Sequence, residues 1–156
     1  MDLEFVVKPI GYVIGGRADP TDDFWGSVRA KIEIDTTWIG PDALCGLAEF
    51  SHIEVVFVFN QVAIETVECG ARRPRGRQDW PQVGIFAQRG KNRPNRLGVS
   101  VCRILRVDGP IVHVEGLDAI HGTPILDIKP VMLGFMPQEA IIQPDWATEI
   151  MQSYWR

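Results

Sequence analysis

The chain has 156 residues and a formal net charge of −4, a length that suits one domain spanning 1–156. An apolar content of 46% supplies a packed core and argues against a disordered chain. No apolar run approaches the roughly 20 residues of a membrane helix, so no membrane span is expected.

The opening MDLEFVVKPI carries acids and no basic start, so it does not read as a secretory signal. Cys45, Cys69 and Cys102 lie 24 and 33 positions apart. That spacing gives no CxxC pair and no metal-ligand pattern. The set reads as reduced thiols in a cytoplasm, and no metal is expected. The charge is uneven. Between Arg72 and Arg106 ten basic residues meet one acid, a net +9, against −13 for the rest. A basic stretch in an acidic chain suits an anion-binding face for phosphate, carboxylate or RNA. It equally suits a solvated loop whose arginines pair with the surrounding acids.

In chain order, strand composition appears at about 5–14, 28–34, 52–59, 83–87, 99–107, 111–117 and 123–128. VRAKIEI alternates strictly, as a strand with one wet face does. IEVVFVF is almost continuously apolar and reads as a strand buried on both faces. RILRVDGPIVHVEGL reads as a hairpin turning at Asp108-Gly109-Pro110. GPDALCGLAEF has room for a short helix with Pro41 in its first turn. PDWATEIMQSYWR is the best helix, with Trp146, Ile150, Met151 and Tyr154 on one face. That aromatic segment is expected to pack on its own barrel. ARRPRGRQDWP should be a mobile loop, because its arginines cannot all be buried. Many short strands with one or two helices give a mostly-β barrel or sandwich.

Standard chemical motifs are missing: no GxxxxGK[ST], no GxGxxG after a strand, no HExxH and no GxSxG. His52, His113 and His121 are scattered and read as core or surface residues. Two stretches stand out. VGIFAQRGKNRPNRLGVSVCRIL crowds Arg89, Lys91, Arg93 and Arg96 on one rim, and arginine forks suit carboxylate or phosphate. Asn95 can cap its turn or accept a hydrogen bond from a ligand amine, and Gly98 would let a ligand approach the backbone. In VEGLDAIHGTPILDIKP, Gly116 and Gly122 bracket a loop with one carboxylate, Asp118. Such a loop can bind a ribose or an amine, or it is a tight turn with an Asx cap.

With GLAEFSHIEVVFVFNQ, these stretches resemble the TsaA-like (YaeB, VirR) family. The family pattern runs G-L-x-E-F-S-H-I-W-V, then V-G-I-F-A-T-R-S-P-H-R-P-N-P-I-G-L-S, then L-D-x-x-D-G-T-P-V-L-D-I-K-P. The resemblance covers about residues 5–137. It implies a small all-β barrel that binds S-adenosylmethionine outside the Rossmann-type fold. It also implies a homodimer and a methyltransferase, with the N6 of the tRNA adenosine beside the anticodon as one acceptor. The matching cofactor-binding positions are Arg89, Val99, Leu117, Asp118, Ala119 and Ile120, with Asn60 and Gln61 at the end of the buried strand. The family's proline-arginine-glutamine turn falls loosely at Trp25, Gly26 and Ser27. Lys91, Arg93 and Arg96 become substrate-binding candidates.

The departures are Gly90-Lys91-Asn92, Arg96, Asn60, Trp25-Gly26-Ser27 and His121. The extra C-terminal domain of longer bacterial members is not expected, and with it goes any tRNA contact that domain makes. Three readings stay open: methyl transfer to RNA, methyl transfer to a small molecule, and a non-enzymatic cofactor-binding module. No residue announces itself as an obligate base. Asn95 and Asp118 are the candidates to accept a hydrogen bond from an amine nucleophile.

Overall fold

A computed structural model describes residues 1–156. Eight strands form: β1 Gly11–Ile14, β2 Arg29–Ile34, β3 His52–Val58, β4 Ala71–Arg72, β5 Val83–Gly84, β6 Leu97–Asp108, β7 Ile111–Glu115 and β8 Pro124–Pro130. One short helix, α1, spans Asp145–Ile150. Six strands close an antiparallel barrel in the order β1-β2-β7-β6-β3-β8, and β4 and β5 form a separate ribbon. Closure follows because β8 pairs with β1 at one edge and with β3 at the other.

Period-two patterning builds the core. Strand β2 alternates as read, with Ala30, Ile32 and Ile34 inward and Arg29, Lys31 and Glu33 in water. Ile53, Val55 and Phe57 of β3 and Val112 and Val114 of β7 complete the same interior. Burying each large aliphatic side chain contributes about 1.5–3 kcal/mol. The β6–β7 hairpin turns at Asp108–Pro110 as expected, with Gly109 at φ +56°. Register shifts at Ile104/Arg106 and Val56/Phe57 supply the local bends a small barrel needs.

Several expectations change. Residues 5–10 do not extend β1, and Phe5, Val6 and Val7 lie exposed. Strand β3 is not buried on both faces: Glu54 is exposed, and Val56 and Val58 are half-buried. Only a single 3-10 turn, Leu47–Glu49, forms in GPDALCGLAEF. The strand expected at 83–87 stops at Gly84 and becomes a 3-10 turn, Ile85–Ala87.

The arginine loop between β4 and β5 is braced rather than loose. Arg73 donates to the carbonyls of Gln78 and Trp80. Arg75 pairs with Asp23 at 3.0 Å. Arg77 pairs with Asp79 and lies 3.9 Å from the centroid of the Trp80 ring.

Helix α1 also ends early, at Ile150. The chain beyond it is drawn into other bonds. Phe24 and Trp25 donate their backbone N–H groups to the carbonyls of Ser153 and Tyr154, at 3.0 and 2.8 Å. The aromatic segment therefore packs on its own barrel, as expected, but as a strap more than a helix. Trp80 Nε1 donates to Glu149 Oε2 at 2.7 Å and pins the strap's near end.

Candidate functional site

The site begins where β7 leaves β6. The last rung of that ladder joins Arg103 to Glu115. Gly116 then turns at φ +82°, and the loop 117–120 departs. The first half of β6 keeps β3 on one side only, through the rungs Val58–Leu97 to Ile53–Cys102. Backbone groups on alternate residues of an antiparallel strand point to opposite sides. Arg96 and Ile104 bond toward β3. Val99 and Val101 therefore turn their backbone toward the opened seam.

Arg89 fills part of that seam, donating to the Val99 carbonyl at 2.7 Å. Two of the predicted cofactor contacts thus meet directly. Val101 lies one pleat on, about 7 Å along the strand. It lines a cleft of about 230 Å³ with Gly26, Cys102, Arg103, Gly116 and Trp155. Gly26 of the Trp25–Ser27 turn enters here because its carbonyl faces Gly116. That turn is held tightly: Arg17 lies 4.1 Å from the Trp25 ring centroid, Trp25 Nε1 donates to the Thr21 carbonyl at 3.1 Å, and Phe24 takes φ +66°. A left-handed backbone at a phenylalanine costs energy and persists only where neighbours enforce it.

The loop 117–120 divides its duties. Leu117, Ala119 and Ile120 are buried. Asp118 instead accepts a hydrogen bond from the Tyr154 hydroxyl at Oδ2, while its Oδ1 is buried with no partner. An unsatisfied buried carboxylate oxygen is costly, so such an atom marks a place for a donor. Cys102 lies nearby; burial first, and then the Asp118 charge, push its thiol up to about 12. At the rim Glu115 holds Arg29 at 2.8 Å and Arg103 at 3.7 Å. The Arg29 hydrogen bond holds the Glu115 carboxyl below its ordinary range.

Other predicted residues lie elsewhere. Asn60 and Gln61 follow β3 beside the Arg96 turn, where Phe59 N–H bonds the Arg96 carbonyl at 2.8 Å. Arg93 donates to the Gln88 carbonyl at 2.8 Å and Arg96 to the Val62 carbonyl at 2.8 Å. Their guanidinium groups brace the fold. Asn95 takes φ +61° in that turn, a conformation asparagine tolerates well. His121 caps a turn, accepting the Gly15 N–H at Nδ1. The space over Gly98 is closed to a ligand, because the Phe57 and Phe59 rings occupy it. Tyr154, Trp155, Arg17 and Glu115 were not singled out as site residues, and no local motif marks them.

A closed antiparallel barrel whose β6–β7 ladder ends at Glu115 and gives way to the loop bearing Asp118 is the class of protein this geometry defines. The chain belongs to the tRNA-methyltransferase O N-terminal domain family, which it matches over residues 21–135. A tRNA (adenine(37)-N6)-methyltransferase from Rattus norvegicus is 36% identical over 139 residues, covering 83% of this chain and 31% of that protein. A probable S-adenosyl-L-methionine-binding protein from Methanothermobacter thermautotrophicus is 33% identical over 136 residues, covering 83% of this chain and 91% of that protein. The crystal structure of TrmO from Pseudomonas aeruginosa superposes with a TM-score of 0.72 at 27% identity, covering 89% of this chain and 61% of that one. The chain spans 23–34% of the length of the mammalian relatives it matches.

Proposed function

We propose that this chain binds S-adenosylmethionine at the opened seam and serves methyl transfer to RNA, with an adenine N6 in tRNA as the acceptor to test first. The observation that carries the reading is the buried, unpartnered Oδ1 of Asp118, on the loop that leaves the seam where Gly26 lines the cleft and Arg89 meets Val99. These residues fit the cofactor: a carboxylate oxygen awaits a ribose hydroxyl or an ammonium group, and a guanidinium faces an anion. When bound, S-adenosylmethionine supplies an electrophilic methyl on a sulfonium centre. The chain's task is then placement of the acceptor against that methyl. Asp118 and the 117–120 backbone orient the nucleoside, and Arg89 holds an anionic group. Asn95 serves its turn, so of the two candidate hydrogen-bond acceptors Asp118 is the one that keeps a free oxygen. A homodimer belongs to the proposal, with exposed Leu97, Val99 and Val101 as an apolar contact strip.

A small-molecule acceptor is the second reading. It is favoured by one observation: Arg73, Arg75, Arg77, Arg93 and Arg96 are engaged within the fold. They contribute less to a phosphate-binding face than the +9 stretch implies. Calorimetric titration with S-adenosylmethionine tests both. Binding that weakens about tenfold in Arg89→Ala supports the site. Methyl transfer from labelled cofactor to tRNA, with steep salt dependence, favours RNA; transfer without nucleic acid favours the small acceptor. Absence of binding removes the whole reading.

A further inference from the structure

The strap Met151–Arg156 touches the candidate site at three points, through residues that lie outside the family motifs. The carbonyls of Ser153 and Tyr154 bind the N–H groups of Phe24 and Trp25. The Trp155 backbone lies so close to Gly26 that a Cβ there would meet its carbonyl oxygen at 1.9 Å. The Tyr154 hydroxyl reaches Asp118. The Tyr154–Asp118 hydrogen bond thus ties the loop 117–120 to the strap, and the strap's carbonyls tie it in turn to Phe24 and Trp25.

We propose that Tyr154 is a positioning residue of the ligand site: its hydroxyl fixes the Asp118 carboxylate at Oδ2, so that Oδ1 is presented to an N–H or O–H donor of the ligand. This rests on the reading of Asp118 as a cofactor contact. A free carboxylate rotates about its terminal torsion and spreads its lone pairs over many directions. A strong O–H donor on one oxygen removes that freedom. The Tyr154 ring is itself held edge-on to Trp155 at 4.8 Å between centroids, and the backbone on either side is bonded to Phe24 and Trp25. Burial and the adjacent carboxylate push the Tyr154 hydroxyl well above its ordinary ionisation range, so it remains a donor at neutral pH. The arrangement also makes the strap sense the ligand. A donor on Oδ1 steadies Asp118, Asp118 steadies Tyr154, and Tyr154 steadies the segment that accepts the two N–H groups.

The test is a double-mutant cycle read by calorimetric titration of S-adenosylmethionine. Tyr154→Phe keeps the ring and removes the donor, and is expected to weaken binding about tenfold. Asp118→Asn should weaken it as well. In the double variant the Tyr154→Phe substitution should add no further loss, because its effect passes through Asp118. Losses that simply add, or a Tyr154→Phe variant that binds like the wild type while Asp118→Asn does not, overturn the positioning role and leave the cofactor reading intact. A wild-type chain that binds no S-adenosylmethionine overturns both. Amide exchange of the unaltered chain gives a readout that depends on no variant folding. Binding should slow exchange at Phe24 and Trp25, and unchanged exchange there with binding intact also refutes the proposal.

Discussion

The Cα of Gly26 rests against the carbonyl of Trp155, with no room for even a methyl group between them: an added Cβ would lie 1.9 Å from that oxygen. The contact explains why the turn at Trp25–Ser27 and the strap after α1 behave as one unit. It also explains why a glycine stands where the strap crosses.

The first prediction follows directly. Gly26→Ala must displace the strap or the turn, at about 1–3 kcal/mol for overpacking. The melting temperature should fall, and ligand binding at the cleft should weaken with it. Gly40→Ala meets open space and is the control; thermal unfolding followed by circular dichroism separates the two. Equal stability of both variants would mean that the strap does not hold this position in solution.

A second glycine is dictated by packing. Gly98 faces Phe57 across the β3–β6 ladder, and an added Cβ would lie 2.5 Å from the Phe57 ring. Alanine normally fits a strand interior better than glycine. Gly98→Ala should nonetheless destabilise, by about 1–3 kcal/mol. Phe57→Ala should cost about 3–5 kcal/mol through the cavity it leaves. Chemical denaturation measures both.

Cysteine reactivity gives a third. Cys45 and Cys69 are exposed, whereas Cys102 is buried with its thiol pushed up to about 12. Thiolate is the reactive form. At mildly alkaline pH an alkylating reagent should therefore label the first two in the native chain, and Cys102 only after unfolding. Mass spectrometry of the labelled protein reads this out, and rapid native labelling of Cys102 would show that the cleft opens to its sulfur.

The fourth concerns acid. The hydrogen bond from Arg29, followed by the charges of Arg29 and Arg103, holds Glu115 below its ordinary range. A carboxylate with a lowered folded pKa adds stability above its unfolded value near 4.3. That contribution is lost as the pH falls through the folded value. Glu115→Gln should flatten this part of the acid-stability curve and leave stability at neutral pH little changed, since surface pairs are weak. A curve of unaltered slope would show that the Arg29 pair adds nothing to folding.

Much of the barrel could be read from residue order alone. The alternation of RAKIEI and the Asp108-Gly109-Pro110 turn point to a barrel or sandwich, because side-chain period and turn chemistry are local properties, and the resemblance of the three motifs implies the small closed barrel. The resemblance placed Arg89 and Val99 among the cofactor-binding positions, and the two are in contact. The extent of β1 and α1 was not. Phe5–Val7 have strand composition but no partner, and the segment after Ile150 has helical spacing but spends its carbonyls on Phe24 and Trp25. Whether a segment pairs depends on what the rest of the chain leaves unpaired.

The same limit governed the charges. Ten basic residues in one stretch suited an open anion face and, equally, a loop whose arginines pair with nearby acids, and most of its arginines are engaged by carbonyls or acids. Local pattern in the residue order carried a β-rich barrel or sandwich, and the resemblance of the motifs carried the closed barrel and the family. That Tyr154 reaches Asp118 across 36 positions of chain is a product of folding, because a hydrogen bond between distant segments is set by barrel closure and by the path of the strap, which no local pattern encodes.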